Sequence, residues 1–172
     1  YALPGQTLEQ VGQDINMALG FAPPHISIYH LTIEPNTYFA KFPRALPHED
    51  VPYPMLDRIT ERLGLAGMDR YEVSAYARAG MRCGHNLNYW QFGDYLGLGA
   101  GAHSKLSFAH RVCRMVRHRE PGLFMQKAMG GSAVAQSNEV SRSELPFEFM
   151  LNALRLKDGV PLIAFSERTG MP

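Results

Sequence analysis

Cysteine is scarce in this chain: there are two in 172 residues, Cys83 and Cys113. A disulfide framework is therefore excluded, and free thiols are expected, because a chain with 45% hydrophobic residues can build a core without staples. Long apolar runs are missing too. No stretch approaches the roughly eighteen residues that would cross a bilayer. The N-terminus has no basic region followed by an apolar one, so neither a membrane span nor a signal peptide is read, and a cytoplasmic location is the default. Charge of one sign is also lacking. Seventeen basic against sixteen acidic residues leave a formal charge of +1, which gives no global reason to expect nucleic acid or an anionic membrane as partner. Neither an internal repeat nor a low-complexity tract is found.

What is present is concentrated in Cys83 to His103, CGHNLNYWQFGDYLGLGAGAH. This stretch holds a Cys-x-His pair at Cys83 and His85, aromatic rings at Tyr89, Trp90, Phe92 and Tyr95, and five glycines from Gly84 to Gly101. Thiolate and imidazole can hold a soft metal or an iron porphyrin, and aromatic faces can pack a flat ring system. Alternating glycines let backbone approach a ligand closely. The same residues would also serve as a buried aromatic cluster with a satisfied histidine beside a turn.

H-N-x-x-Y-W (His85, Asn86, Tyr89, Trp90), followed by G-D-Y-L-G-L-G-A-G-A-H-S, resembles the oxygen-independent coproporphyrinogen III oxidase-like group of radical SAM proteins. Within that group it is most similar to the haem-chaperone branch. The likeness extends through LPGQT at Leu3 to Thr7, LTIEPNT at Leu31 to Thr37, YEVSAYA at Tyr71 to Ala77 and PFEFMLNALRL at Pro146 to Leu156. The resemblance implies haem binding by His85, Asn86, Tyr89 and Trp90 with Cys83 beside them, and haem acceptor proteins as partners. It also implies contact with S-adenosylmethionine at Thr32 and His103. A [4Fe-4S] cluster, held in the family by three cysteines usually spaced C-x3-C-x2-C, would belong to a preceding part of the protein, since two cysteines cannot supply it. The chain, opening on Tyr1 and ending at Pro172, is accordingly read as a central and C-terminal fragment that would be inactive alone. The alternative within the family is a true coproporphyrinogen III oxidase, oxidatively decarboxylating two propionates to give protoporphyrinogen IX. An alternative of another class is a zinc-binding structural module built from Cys83, His85, His103 and Cys113.

Taken in order, Thr7 and Gln10 form a capping box before a helix with apolar residues at Leu8, Val11, Ile15, Ala18 and Leu19. His25 to Thr32 reads as a strand. Five prolines between Glu34 and Pro54 predict a long irregular loop, and Met55, Leu56, Ile59 and Leu63 mark the next helical face. Tyr71 to Tyr76 reads as a second strand, parallel to the first because a helix intervenes. SKLSF and RVCRMV around Ala109-His110 predict a β-hairpin, Pro121 to Met129 a short helix, and Ser143 or Glu144 to Lys157 an apolar helix.

The expected fold is α/β: an incomplete radical SAM (β/α) barrel with parallel strands and a hairpin extension over residues 1–130. A linker at 131–142 and the start of a helical C-terminal domain at 143–172 would follow. Missing strands would leave a sheet edge open for self-association. Among other residues, Glu72 is either a pocket acid or a partner of Arg70 or Arg78. Arg111, Arg114, Arg117 and Arg119 are either propionate ligands or a solvated strand face.

Overall fold

A computed structural model describes residues 1–48 and 50–172. The chain divides into two compact units, Tyr1–Cys83 and Gly84–Pro172. The division falls just ahead of the H-N-x-x-Y-W motif, not in the 131–142 stretch.

In the first unit, α1 (Leu8–Gly20) starts at the predicted capping box. The Thr7 hydroxyl accepts a hydrogen bond from the Gln10 amide at 3.2 Å, and the Gln10 side chain accepts one from the Thr7 amide at 2.8 Å. Helix α1 buries Val11 and Ile15. The proline-rich loop is not wholly irregular, since Thr37 caps a single turn, α2 (Tyr38–Lys41). Helix α3 (Pro52–Leu65) buries Met55, Ile59 and Leu63, which recur every four residues and so share one face. These side chains join Ala2, Val11, Ile15, Met68 and Tyr76 in one core. Each large apolar member contributes about 1.5–3 kcal/mol of burial.

The strands of this unit correct two expectations. The first, β1, covers only His25–Ser27 rather than His25 to Thr32. Beyond it the backbone is bonded irregularly, with the Ile28 amide donating to the Ser74 carbonyl at 2.7 Å and the Leu31 amide to that of Tyr1 at 3.0 Å. The second run is not one strand but a hairpin, β2 (Asp69–Glu72) and β3 (Ala75–Ala77), reversed at Val73-Ser74. The Glu72 carboxylate accepts from the Ser74 amide at 3.0 Å, and Arg70 donates to the carbonyls of Glu72 and Val73, which together fix the reversal. The sheet order is β1-β3-β2 with both pairings antiparallel. The parallel pairing read for a barrel is thus overturned. β1 and β2 do point the same way, but β3 lies between them.

The second unit opens with α4 (Gly84–Trp90). β4 (His103–Phe108) and β5 (Arg111–Arg117) then form the predicted hairpin, in register from His103 opposite Val116 to Phe108 opposite Arg111. Helix α5 (Pro121–Met129) follows, its first amides bonded by the Glu120 carboxylate. The stretch read as a linker contains β6 (Val134–Val140), which pairs antiparallel with β5 to complete a sheet ordered β4-β5-β6. All of β6 except Val140 is exposed, so an outer strand of this kind needs no apolar alternation to betray it. Helices α6 (Leu145–Ala153) and α7 (Ile163–Thr169) close the unit, α6 ending before the expected Lys157 and α7 stopping at Gly170 in the left-handed region (φ 66°). Phe92, Val112, Val140, Leu145, Phe149 and Ala153 form the core. Among the described residues no helix is long and apolar enough to cross a membrane.

Candidate functional site

The H-N-x-x-Y-W motif lies on α4, so the residues after Cys83 are helical and not extended. The alternation that would put the Cys83 thiol and the His85 imidazole on one side of an extended strand therefore does not apply. Cys83 ends the first unit as a half-buried free thiol. Helical spacing instead sets His85 edge-to-face against Tyr89, with ring centroids 4.8 Å apart and planes at 75°. His85 is exposed, and among the described residues no hydrogen bond engages its imidazole. Asn86, Tyr89 and Trp90 are half-buried.

Tyr89 is held from the other side. Its ring lies 4.4 Å from that of Tyr95, whose hydroxyl accepts a 2.8 Å hydrogen bond from Arg114 Nη1. Arg114 also donates from Nε to Glu148 Oε2 at 3.0 Å and forms an ion pair with it through Nη2. Burial raises the Tyr95 pKa and the Arg114 charge opposes that rise, so Tyr95 remains a phenol at neutral pH. Trp90 is fixed separately. The Arg155 guanidinium covers one face of its indole at 4.1 Å, and the indole Nε1 is buried with no partner among the described residues.

Behind α4 the chain turns at Phe92, which is buried with φ 57°, and is clamped there by Lys105. Lys105 is 2% exposed. Its Nζ donates to the Phe92 carbonyl, Asp94 Oδ1 and Ser107 Oγ, each at 3.0 Å, and sits 4.0 Å from the Phe92 ring centroid. Burial pushes the Lys105 pKa down, with Asp94 pulling against it. Burial also works to raise that of Asp94, but hydrogen bonds from Ser107 and Lys105 outweigh it and leave the carboxyl below its ordinary range. The glycine-rich loop is tied to the hairpin: the Gly97 amide donates to Ser104 Oγ at 2.9 Å and Arg117 Nε to the Gly97 carbonyl at 2.7 Å.

Of the other predicted residues, Thr32 lies beyond the end of β1 and His103 heads β4, and both are exposed. Arg114 and Arg117 already serve protein acceptors and Arg111 lies over the Phe108 ring at 5.3 Å, so these three are not the free propionate set that spacing allowed. Glu72 is buried and caps its own turn. Among the described residues no three His, Cys, Asp or Glu side chains converge on a possible metal position, which removes the basis for a zinc module of Cys83, His85, His103 and Cys113. Sequence reading missed two sets, Tyr95–Arg114–Glu148 and Lys105–Asp94–Ser107. Tyr95–Arg114–Glu148 joins residues 19 and 34 positions apart, and Lys105–Asp94–Ser107 joins β4 to the loop before it, a contact that exists only once the loop has folded back on the strand.

This architecture is shared with a radical SAM enzyme, the coproporphyrinogen III oxidase HemN of Escherichia coli: the TM-score is 0.75 at 16% identity, over 99% of this chain and 42% of that one. Residues 140–172 match the HemN C-terminal domain family. The heme chaperone HemW of Haemophilus influenzae and that of Escherichia coli are each 42% identical over 99% of the chain, and that of Bacillus subtilis is 34% identical over the same share. Over 99% of its length the chain is thus similar to HemW proteins, and its fold is that of HemN. It spans less than half the length, 44–45%, of these HemW relatives.

Proposed function

We propose that the chain is part of a longer haem chaperone, which binds haem as its cargo and delivers it to acceptor proteins. The observation that carries this reading is the exposed His85 imidazole, packed against Tyr89 and engaged by no hydrogen bond among the described residues. Neutral imidazole is a common axial ligand of haem iron. Tyr89 packs against it on α4, Asn86 follows it on the same helix, Trp90 anchors the helix through Arg155, and Cys83, just before α4, is a second candidate ligand. A chaperone supports release better than a permanent haem protein would, and an exposed ligand on a short helix suits that.

In the full-length protein, His85→Ala is expected to abolish or shift the haem absorption band while circular dichroism stays unchanged. His118→Ala should do neither. An unchanged spectrum and affinity in His85→Ala would remove His85 as ligand and direct the search to Cys83 or His103.

Thr32 and His103, both exposed, are proposed to meet S-adenosylmethionine through backbone groups. The cysteines of the [4Fe-4S] cluster are assigned to residues outside this chain. When bound, these cofactors supply one-electron chemistry to the protein. Coproporphyrinogen decarboxylation is the less favoured reading, since the HemW relatives reach 42% identity where the oxidase shares 16%. Haem retention without porphyrinogen turnover separates the two. A cytosolic location accords with this proposal, and the segment 140–172 that matches the HemN C-terminal domain family carries α6 and α7, which pack into the core of the second unit. β1 and β2 are the outer strands of their sheet, and self-association of the isolated chain along one of these edges is expected. Sedimentation showing only monomer at high concentration would refute it.

A further inference from the structure

Haem affinity on α4 depends on more than the ligand itself, because an exposed imidazole binds iron well only if its rotamer is held before the metal arrives. His85 has one such support, the Tyr89 ring. Tyr89 in turn packs on Tyr95, and Tyr95 is the last ring of the series. What stops Tyr95 from swinging away is its hydroxyl, bonded to Arg114. What fixes the Arg114 guanidinium, on the central strand β5, is the Glu148 carboxylate on α6. This pair is only about one-third exposed, 32% and 27% at the two side chains, so solvent competes with it less than with a surface pair.

We propose that Tyr95, Arg114 and Glu148 are positioning residues for the haem ligand, so that the ion pair between β5 and α6 sets how long haem stays on His85. None of the three need touch haem. Each acts through the next, from α6 to β5 to the loop after α4 and then to the helix. A further consequence is that any event displacing Glu148 from Arg114, such as movement of α6 on contact with a haem acceptor, shortens the bound lifetime and favours transfer. This rests on the haem reading of α4.

The test uses the full-length protein loaded with haem, and reads two quantities: the absorption band, which reports axial ligation, and the rate of haem loss to excess apomyoglobin. Glu148→Gln removes the charge but keeps the shape, and Tyr95→Phe removes only the hydroxyl, so the second variant carries the test if the first folds poorly. Each is expected to speed haem loss roughly threefold to tenfold, the range of one aromatic packing contact, and to shift the band. The double variant should lose haem no faster than the quicker single one, because both cut the same path. Glu148→Asp should restore part of the lifetime.

His85→Ala, run in parallel, separates this proposal from the one it rests on. If His85→Ala changes the band while Glu148→Gln and Tyr95→Phe leave lifetime and band unchanged, positioning is refuted and the ligand assignment stands. Strictly additive rates in the double variant refute it likewise. If His85→Ala leaves the band unchanged, both fall.

Discussion

Replacing Asp94 with Ala is expected to destabilise the second unit by about 3–5 kcal/mol at neutral pH, because it leaves the Lys105 ammonium buried without its counter-charge. Lys105 would keep only the Phe92 carbonyl and the Ser107 hydroxyl as acceptors. The converse change, Lys105→Met, should cost less, about 1–3 kcal/mol, chiefly for stranding the Phe92 carbonyl. Asp94 is 41% exposed at its side chain and can turn to water, whereas Lys105 cannot. The sign of the pH dependence follows from Lys105. Burial lowers its pKa in the folded state, Asp94 holds it up, and removing Asp94 lowers it further. The unfolded chain titrates at the ordinary value near ~10.4. Between the folded and unfolded values the unfolded state binds more protons, so stability rises with pH. The deficit of Asp94→Ala should therefore shrink as pH is raised from neutrality toward that ordinary value. Urea denaturation followed by Trp90, the one tryptophan, measures it. A deficit that stays constant across that range would show that charge burial is not its origin.

The second large effect is expected at Gly97. A β-carbon built there would lie 2.2 Å from the His103 carbonyl oxygen and 2.7 Å from its carbon, both backbone atoms held by the β4–β5 register. Neither can move aside without tearing the hairpin, so Gly97→Ala should cost about 3 kcal/mol or more, the upper end of overpacking. Gly99, two residues on, provides the contrast. It has φ 96° but open space around it, so Gly99→Ala should cost only about 1–2 kcal/mol through backbone strain. Comparable melting temperatures for the two variants would contradict this division between close approach and conformation.

The parts of the fold legible in the sequence are those whose cause is local. The Thr7 capping box, the proline opening α5 and the Ala109-His110 turn each sit within a few residues of the element they define. The hairpin at Val73-Ser74 was hidden because that turn holds none of Gly, Pro, Asn or Asp, and its geometry is instead fixed by Glu72 and Arg70 side chains. Strand β6 was hidden by its polarity. At the site, His85, Asn86, Tyr89 and Trp90 stood out from spacing and resemblance, yet their helical setting did not, since α4 is a seven-residue helix that opens on Gly84 and has Gly93 shortly after its end. The Arg114 to Glu148 pair could not be read at all. It exists only after β5 and α6 have met.

Strand β5 is paired on both sides, with Lys105 and Asn138 both opposite Arg114. A strand so enclosed has no freedom to choose which way a side chain faces: inserting or deleting a single residue inside it would reverse every later side chain. Arg114 would then point away from Tyr95 and Glu148 although its identity was unchanged. The side chains of β5 are thus phase-locked by the ladders on both its edges, and tolerance to changes of length belongs to the Ala109-His110 turn and the Gly130-Gly131 bend, outside the ladder.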